Sequence, residues 1–176
     1  IGSAADVAVG QHLVLHADGS YLKSNDLRTG HGYILSPAAR AAVLSQVGLP
    51  QDTPEPIDFA ASAALRDRLP NSAAETWTAG VGAAIITDTG NLGISYSHYD
   101  SLYGVPVRYA TAVGQDQEAP RLSVVQNRVD LRGEVNANGA LIDKIRVRIG
   151  QASYRHFELA PDGSIGTAFY NNGLEG

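Results

Sequence analysis

Residues 75–97 constrain the fold more tightly than any other stretch. From Glu75 to Asp88, ETWTAGVGAAIITD alternates in type. Trp77, Ala79, Val81, Ala83 and Ile85 share one parity, and Thr76, Thr78, Gly80 and Gly82 share the other. Successive side chains of a strand point to opposite faces, so a period of two marks a strand. Asp88-Thr89-Gly90-Asn91 is a tight-turn signal, after which Leu92, Ile94 and Tyr96 resume the apolar parity. The two halves form a hairpin in which Ile85 faces Leu92, Ala83 faces Ile94 and Val81 faces Tyr96. A slip of one residue would scatter the apolar set over both faces, so this register is well specified.

The pattern recurs along the chain. Gln11 to Lys23 alternates, with Leu13, Leu15, Ala17 and Tyr21 against His12, His16, Asp18 and Ser20. Ser123 to Val135 sets Val125, Val129, Leu131 and Val135 against Gln126, Arg128, Asp130, Arg132 and Glu134. Leu141 to Leu159 sets Ile145, Val147 and Ile149 against Lys144, Arg146 and Arg148. Tight turns are expected at Asn136-Ala137-Asn138-Gly139 and Pro161-Asp162-Gly163, with a further strand in IGTAFYNNGLEG. Ile1 to Val9 reads as a strand turning at Gly10. Two connections are long. Residues 24–73 hold two helix signals: Ser36-Pro37 opening PAARAAVLSQV, and Asp58 capping FAASAALRDRL. Residues 101–120 form a second long loop. About fifty residues is too long for an ordinary connection, so the first is read as functional or as a folded insertion.

Strands of ten to eighteen residues, joined by connections that run long, short, long, short, medium, are unusual for soluble sandwiches and usual for transmembrane barrels. The charged parity has two readings. It is the solvated face of a soluble sheet, or the polar lumen of a barrel whose Val/Ile/Leu face meets lipid. In either case Asp130 is expected opposite Lys144 or Arg146. Tyr21, Trp77, Tyr96, Tyr99, Tyr103, Phe157 and Phe169 fall near the ends joined by the longer loops, as an interfacial aromatic girdle would. The fold class expected is therefore all-β, an antiparallel transmembrane barrel segment with long external loops, one of them containing short helices.

Composition closes off other classes. A formal net charge of −5 over 176 residues gives no footprint for nucleic acid. No cysteine is present, which excludes disulfides and thiolate metal sites. With no methionine and no visible signal peptide, the chain reads as an internal piece of a longer protein. No apolar run approaches the ~18–20 residues of a membrane-spanning helix. His12, His16, His31, His98 and His156 are scattered without an HExxH motif, and no metal or other cofactor is implied. Gly80-Val81-Gly82 lacks the later glycine of a nucleotide loop. Asp100 and Glu118 are the only acid/base pair worth naming, and nothing in the sequence brings them together. The best ligand-binding candidates are Tyr99, Asp100, Tyr103, Arg108, Tyr109 and Glu118, in and beside the second long loop. Arg128, Asp130, Arg132, Lys144, Arg146 and Arg148 are the candidates for the lumen.

Several segments carry a resemblance. LPNSAAETWTAGVG with GNLGISYSHYDSLYGVP, then RVDLRGEV, KIRVRIGQASYRHFE and GTAFYNNGLEG, resemble in order and spacing the early barrel strands of TonB-dependent outer-membrane receptors. HADGSYLKSNDLRTG fits the strand before them, and the closest flavour is the zinc-uptake-like branch. The resemblance implies a bacterial outer-membrane transporter with a plug domain inside a barrel of about 22 strands. Residues 1–176 would supply six or seven of those strands, without the plug. It implies uptake of a scarce solute (siderophore, metal complex or small organic nutrient) energised by the TonB-ExbB-ExbD complex through the plug. The partners implied are the plug, the remaining strands, outer-membrane lipid and a small-molecule cargo, and no catalysis is implied. Zinc-uptake relatives carry histidines after the Gly104-Val105-Pro106 turn. Here VRYATAVGQDQEAPR has none, and Arg108, Tyr109, Gln115, Gln117 and Glu118 point to a polar organic ligand. Two other classes compete: a soluble extracellular β-sandwich ligand-binding module, and a secreted β-rich hydrolase using Asp100 or Glu118.

Overall fold

Alternating segments of this length pair along their edges, and here they do so in chain order. The computed structural model describes every residue except Asn138 and Ala140. The elements are β1 (Gly2–Val9), β2 (Leu13–Ser24), β3 (Arg28–Tyr33), α1 (Pro37–Leu44), α2 (Phe59–Ala64), β4 (Arg66–Arg68), β5 (Ala74–Thr87), β6 (Gly90–Gly104), β7 (Arg121–Asn136), β8 (Lys144–Leu159) and β9 (Ile165–Glu175). The protein is all-β. Seven strands form one antiparallel sheet in the order β1-β2-β5-β6-β7-β8-β9, and β3 and β4 form a separate pair.

The β5–β6 hairpin has the expected register: Ile85 opposes Leu92, Ala83 opposes Ile94, and Val81 opposes Tyr96. Gly10 turns β1 into β2 with φ +67°, and Gly163, at φ +85°, turns β8 into β9.

The β7–β8 register departs from expectation. The link between these strands is residues 137–143, and β8 begins at Lys144 rather than Leu141. The tight turn expected at Asn136–Gly139 includes Asn138, which lies outside the described residues. The Ala137 amide donates to the Asp143 carbonyl at 2.8 Å, which closes a link longer than a tight turn. A hairpin's register follows its link length. Asp130 therefore opposes Gly150, not Lys144 or Arg146. Gly150 leaves room for the ion pair there: a Cβ would stand 2.7 Å from Arg128 Nη2 and 3.1 Å from Asp130 Oδ1, so the guanidinium would have to shift.

The two long connections fold together as a cap with its own core. Val43, Phe59, Ala63 and Ala110 are buried, and Leu35, Ile57 and Val113 pack against them. Both helix starts are capped as read: Ser36 Oγ accepts from the Ala39 amide at 3.2 Å, and Asp58 Oδ1 from the Ala61 amide at 2.8 Å. The second helix stops at Ala64 instead of running through Leu65–Leu69. Leu65 is extended, and its carbonyl accepts from the Ile34 amide at 3.0 Å, so pairing with β3 overrides helix propensity. The guanidinium groups of Arg40 and Arg66 both lie over the Tyr33 ring, at 3.9 and 4.7 Å from its centre.

Asn71 ties the cap to the sheet. It adopts φ +57°, and its Nδ2 donates to the carbonyls of Val105 (2.7 Å) and Pro120 (2.8 Å), the two ends of the second loop. Its backbone packs on Gly104, where a Cβ would collide with it. Asn71→Ala removes both bonds and leaves an alanine in the left-handed region. It is expected to cost about 1–3 kcal/mol locally. Limited proteolysis would then cut residues 105–120 faster with the sheet intact, and an unchanged cleavage rate would refute this role.

Candidate functional site

The registers assign every strand residue to one of two faces. One face carries Leu13, Leu15, Val81, Ile85, Leu92, Ile94, Leu131, Ile145, Val147 and Ile149. It is left uncovered: Val81 is 56% exposed and Ile94 54%. Soluble monomers rarely expose contiguous apolar patches beyond a few hundred Å². Tyr21 and Trp77 sit opposite each other on this face, with Phe157 also toward the loop end. Tyr96 lies lower, in the row of Val81 and Val129. Its hydroxyl and His98 Nδ1 both reach Asn127 Oδ1, at 2.6 and 2.7 Å, while His98 stacks on Trp77 with ring centres 4.4 Å apart. Tyr99, Tyr103 and Phe169 lie on the other face, so the seven aromatics expected in one girdle divide between the two sides.

The second face is ionic toward the short links. Arg128 and Asp130 form a two-point pair along one strand, Nε to Oδ2 at 2.7 Å and Nη2 to Oδ1 at 2.8 Å. Glu134 accepts from Lys144 Nζ (2.6 Å) and Arg146 Nε (2.7 Å). His16 bridges Asp6 and Asp18 at 2.8 and 3.0 Å. Arg132 and Arg148 oppose each other directly. Like charges across a strand pair repel. Arg148→Ala is therefore expected to leave stability within about 0.5 kcal/mol of the parent, or to raise it slightly. A thermal melt showing a loss well beyond that would contradict the assignment.

The six ligand candidates separate into three places. Tyr99, Asp100 and Tyr103 belong to β6, not to a loop, because pairing with β7 continues to Gly104. Tyr99 and Tyr103 share the ionic face, whereas Asp100 points to the other. Arg108 and Glu118 close the neck of the second loop as a bridged pair, with Arg108 Nη2 to Glu118 Oε1 at 2.8 Å. Arg108 is the hydrogen-bond partner of Glu118, and among the described residues no hydrogen bond joins Glu118 to Asp100. Tyr109, in the second loop beside the buried Ala110, is half-buried, and its hydroxyl has no partner among the described residues. Burial pushes its phenol up, and the Asp26 charge adds to this.

The cap contains a cavity of about 610 Å³ that the sequence did not single out as a site. It lies between residues 50–57 and 113–117, with Gln51, Asp52, Glu55, Gln115, Asp116 and Gln117 among its lining. Gln115 and Gln117 are the residues whose polarity had been noted. The signal for the rest was the length of the first connection, not any motif. Among the described residues, no cluster of three or more histidine, aspartate or glutamate side chains is placed to hold a metal ion. No helix is long and apolar enough to cross a membrane.

No protein-family model matches the chain, and no curated protein matches it.

Proposed function

We propose that this chain is a stretch of the wall of an outer-membrane β-barrel belonging to a TonB-dependent transporter for a small solute. One observation carries the barrel reading: a seven-stranded antiparallel sheet with one uncovered apolar face and one ionic face. Three short links (residues 10–12, 88–89 and 137–143) gather at one end, and the two long connections, residues 25–73 and 105–120, lie at the other together with the five-residue link 160–164. Barrels in outer membranes have this division, with lipid outside, a polar lumen inside, short periplasmic turns and long external loops. A sandwich needs a second sheet over the apolar face. Among the described residues, the only other sheet is the β3–β4 pair in the cap.

The TonB-dependent part of the reading rests on the resemblance of the quoted strand segments. In this arrangement, Arg128, Asp130, Arg132, Lys144, Arg146 and Arg148 face the lumen and the plug. The cap lies outside, where its cavity is of small-molecule size. Open sheet edges are not tolerated in lipid, so β1 and β9 pair with further strands of the barrel. The test is membrane fractionation of the native full-length protein, followed by electrophoresis with and without boiling. Recovery in the outer membrane with a band that shifts on boiling is expected. A soluble protein with no shift would overturn the reading.

A further inference from the structure

One row on the ionic face carries no charge. The registers of β6 with β7, β7 with β8 and β8 with β9 set Tyr99 opposite Gln126, Gln126 opposite Tyr154, and Tyr154 opposite Asn171. Phenol, carboxamide, phenol and carboxamide thus follow one another across four strands on one face. Neighbouring strands lie about 4.8 Å apart, so the two tyrosines stand roughly 10 Å from each other. Ser20 and Thr78 continue the row onto β2 and β5 and bond each other at 2.7 Å, whereas, among the described residues, the side chains of Tyr99, Gln126, Tyr154 and Asn171 make no hydrogen bond. Tyr99 is 38% exposed. The next row toward the loops adds His156, edge-on to Tyr154 at 6.3 Å, and Phe169, 5.6 Å from His156.

We propose that this row binds a neutral saccharide, which names the cargo class of the transporter; the inference rests on the lumen assignment above. A sugar ring offers a C–H face that packs flat on an aromatic ring, and hydroxyls around its edge. Carboxamides both donate and accept, so Gln126 and Asn171 meet those hydroxyls in either sense. The two tyrosines are far enough apart for each to take its own ring. A charged ligand finds no counter-charge in the row. An apolar ligand would leave four polar groups without partners, which is costly. The row lies in the loop-side half of the sheet, two rows in from its loop edge, within reach of a solute entering past the cap.

The experiment uses the purified full-length protein in detergent, titrated calorimetrically with maltohexaose, cellohexaose and chitohexaose. At least one of the three is expected to bind. Tyr99→Ala with Tyr154→Ala should weaken that binding on the order of tenfold or more, since each stacked ring contributes separately. Tyr99→Phe with Tyr154→Phe keeps the rings and should lose only a few-fold, which separates stacking from misfolding. Failure of all three sugars to bind overturns the inference, including the case where the protein's own plug covers the row. So does a double alanine variant that binds like the parent. Heat-modifiable migration, recorded on the same samples, tests the barrel separately. Saccharide binding without a shifted band would keep the row and discard the lumen.

Discussion

Val81→Arg is expected to cost about 2–4 kcal/mol of barrel stability and to reduce sharply the heat-modifiable protein recovered from the outer membrane. Val81 is the midpoint of the apolar run Trp77–Ile85 on β5, and it opposes Tyr96 on the uncovered face. Nine strand residues span roughly 27 Å along the chain, close to a barrel's apolar band once tilt is included. A charge at the centre of that band is where lipid penalises it most. Val147→Arg, on the same apolar face and opposite Gly133, is expected to damage assembly as well. Ser95→Arg, on the ionic face one residue from Tyr96, serves as the control and should assemble normally. If Ser95→Arg were the damaging change and Val81→Arg the silent one, the faces would have been assigned the wrong way round.

Phe59→Ala is expected to cost about 3–5 kcal/mol, confined to the cap. Phe59 is 2% exposed and is the largest side chain among the four buried residues of that core. Its removal leaves Val43, Ala63 and Ala110 around a void that three small neighbours cannot fill. Hydrogen exchange should therefore rise across residues 34–65 and 105–120. Amides of β5 to β8 should keep their protection, because that sheet is held by its own ladders. Cap amides that exchange no faster would show that the helices do not depend on this core. Simultaneous loss of protection in the sheet would show that cap and sheet do not unfold separately.

How far the sequence could be read differs from element to element. The β5–β6 hairpin was legible to the residue, because dense alternation runs into both sides of a two-residue link, and that short link selects one register among those that keep the apolar set on one face. The helix starts were equally plain, since Ser36-Pro37 and Asp58 carry their capping chemistry locally. The β7–β8 hairpin has the same quality of alternation, yet its register was missed. Any even shift leaves the same parity on the same face, and only the true length of the link, residues 137–143, selects among such shifts. The charged face was therefore correct as a set, and the partner of Asp130 was not. The end of α2 was missed because Leu65–Leu69 has a local preference for helix that the tertiary pairing with β3 overrules.

The candidate site divides in the same way. Parity placed Tyr99 and the arginines on one face, because the side-chain period of a strand is a local property. Which residues form a row across four strands depends on three registers multiplied together, so Tyr99, Gln126, Tyr154 and Asn171 became neighbours only in the folded sheet. The pairing of Arg108 with Glu118, the Asn71 tie and the cap cavity likewise arise from loops that meet in space. Sequence by itself determined the strands, their two faces and the alternation of short and long links, since each follows from neighbouring residues. Tertiary structure decided the registers, the cap core and every contact between loops, since these are set by pairings far apart in the chain.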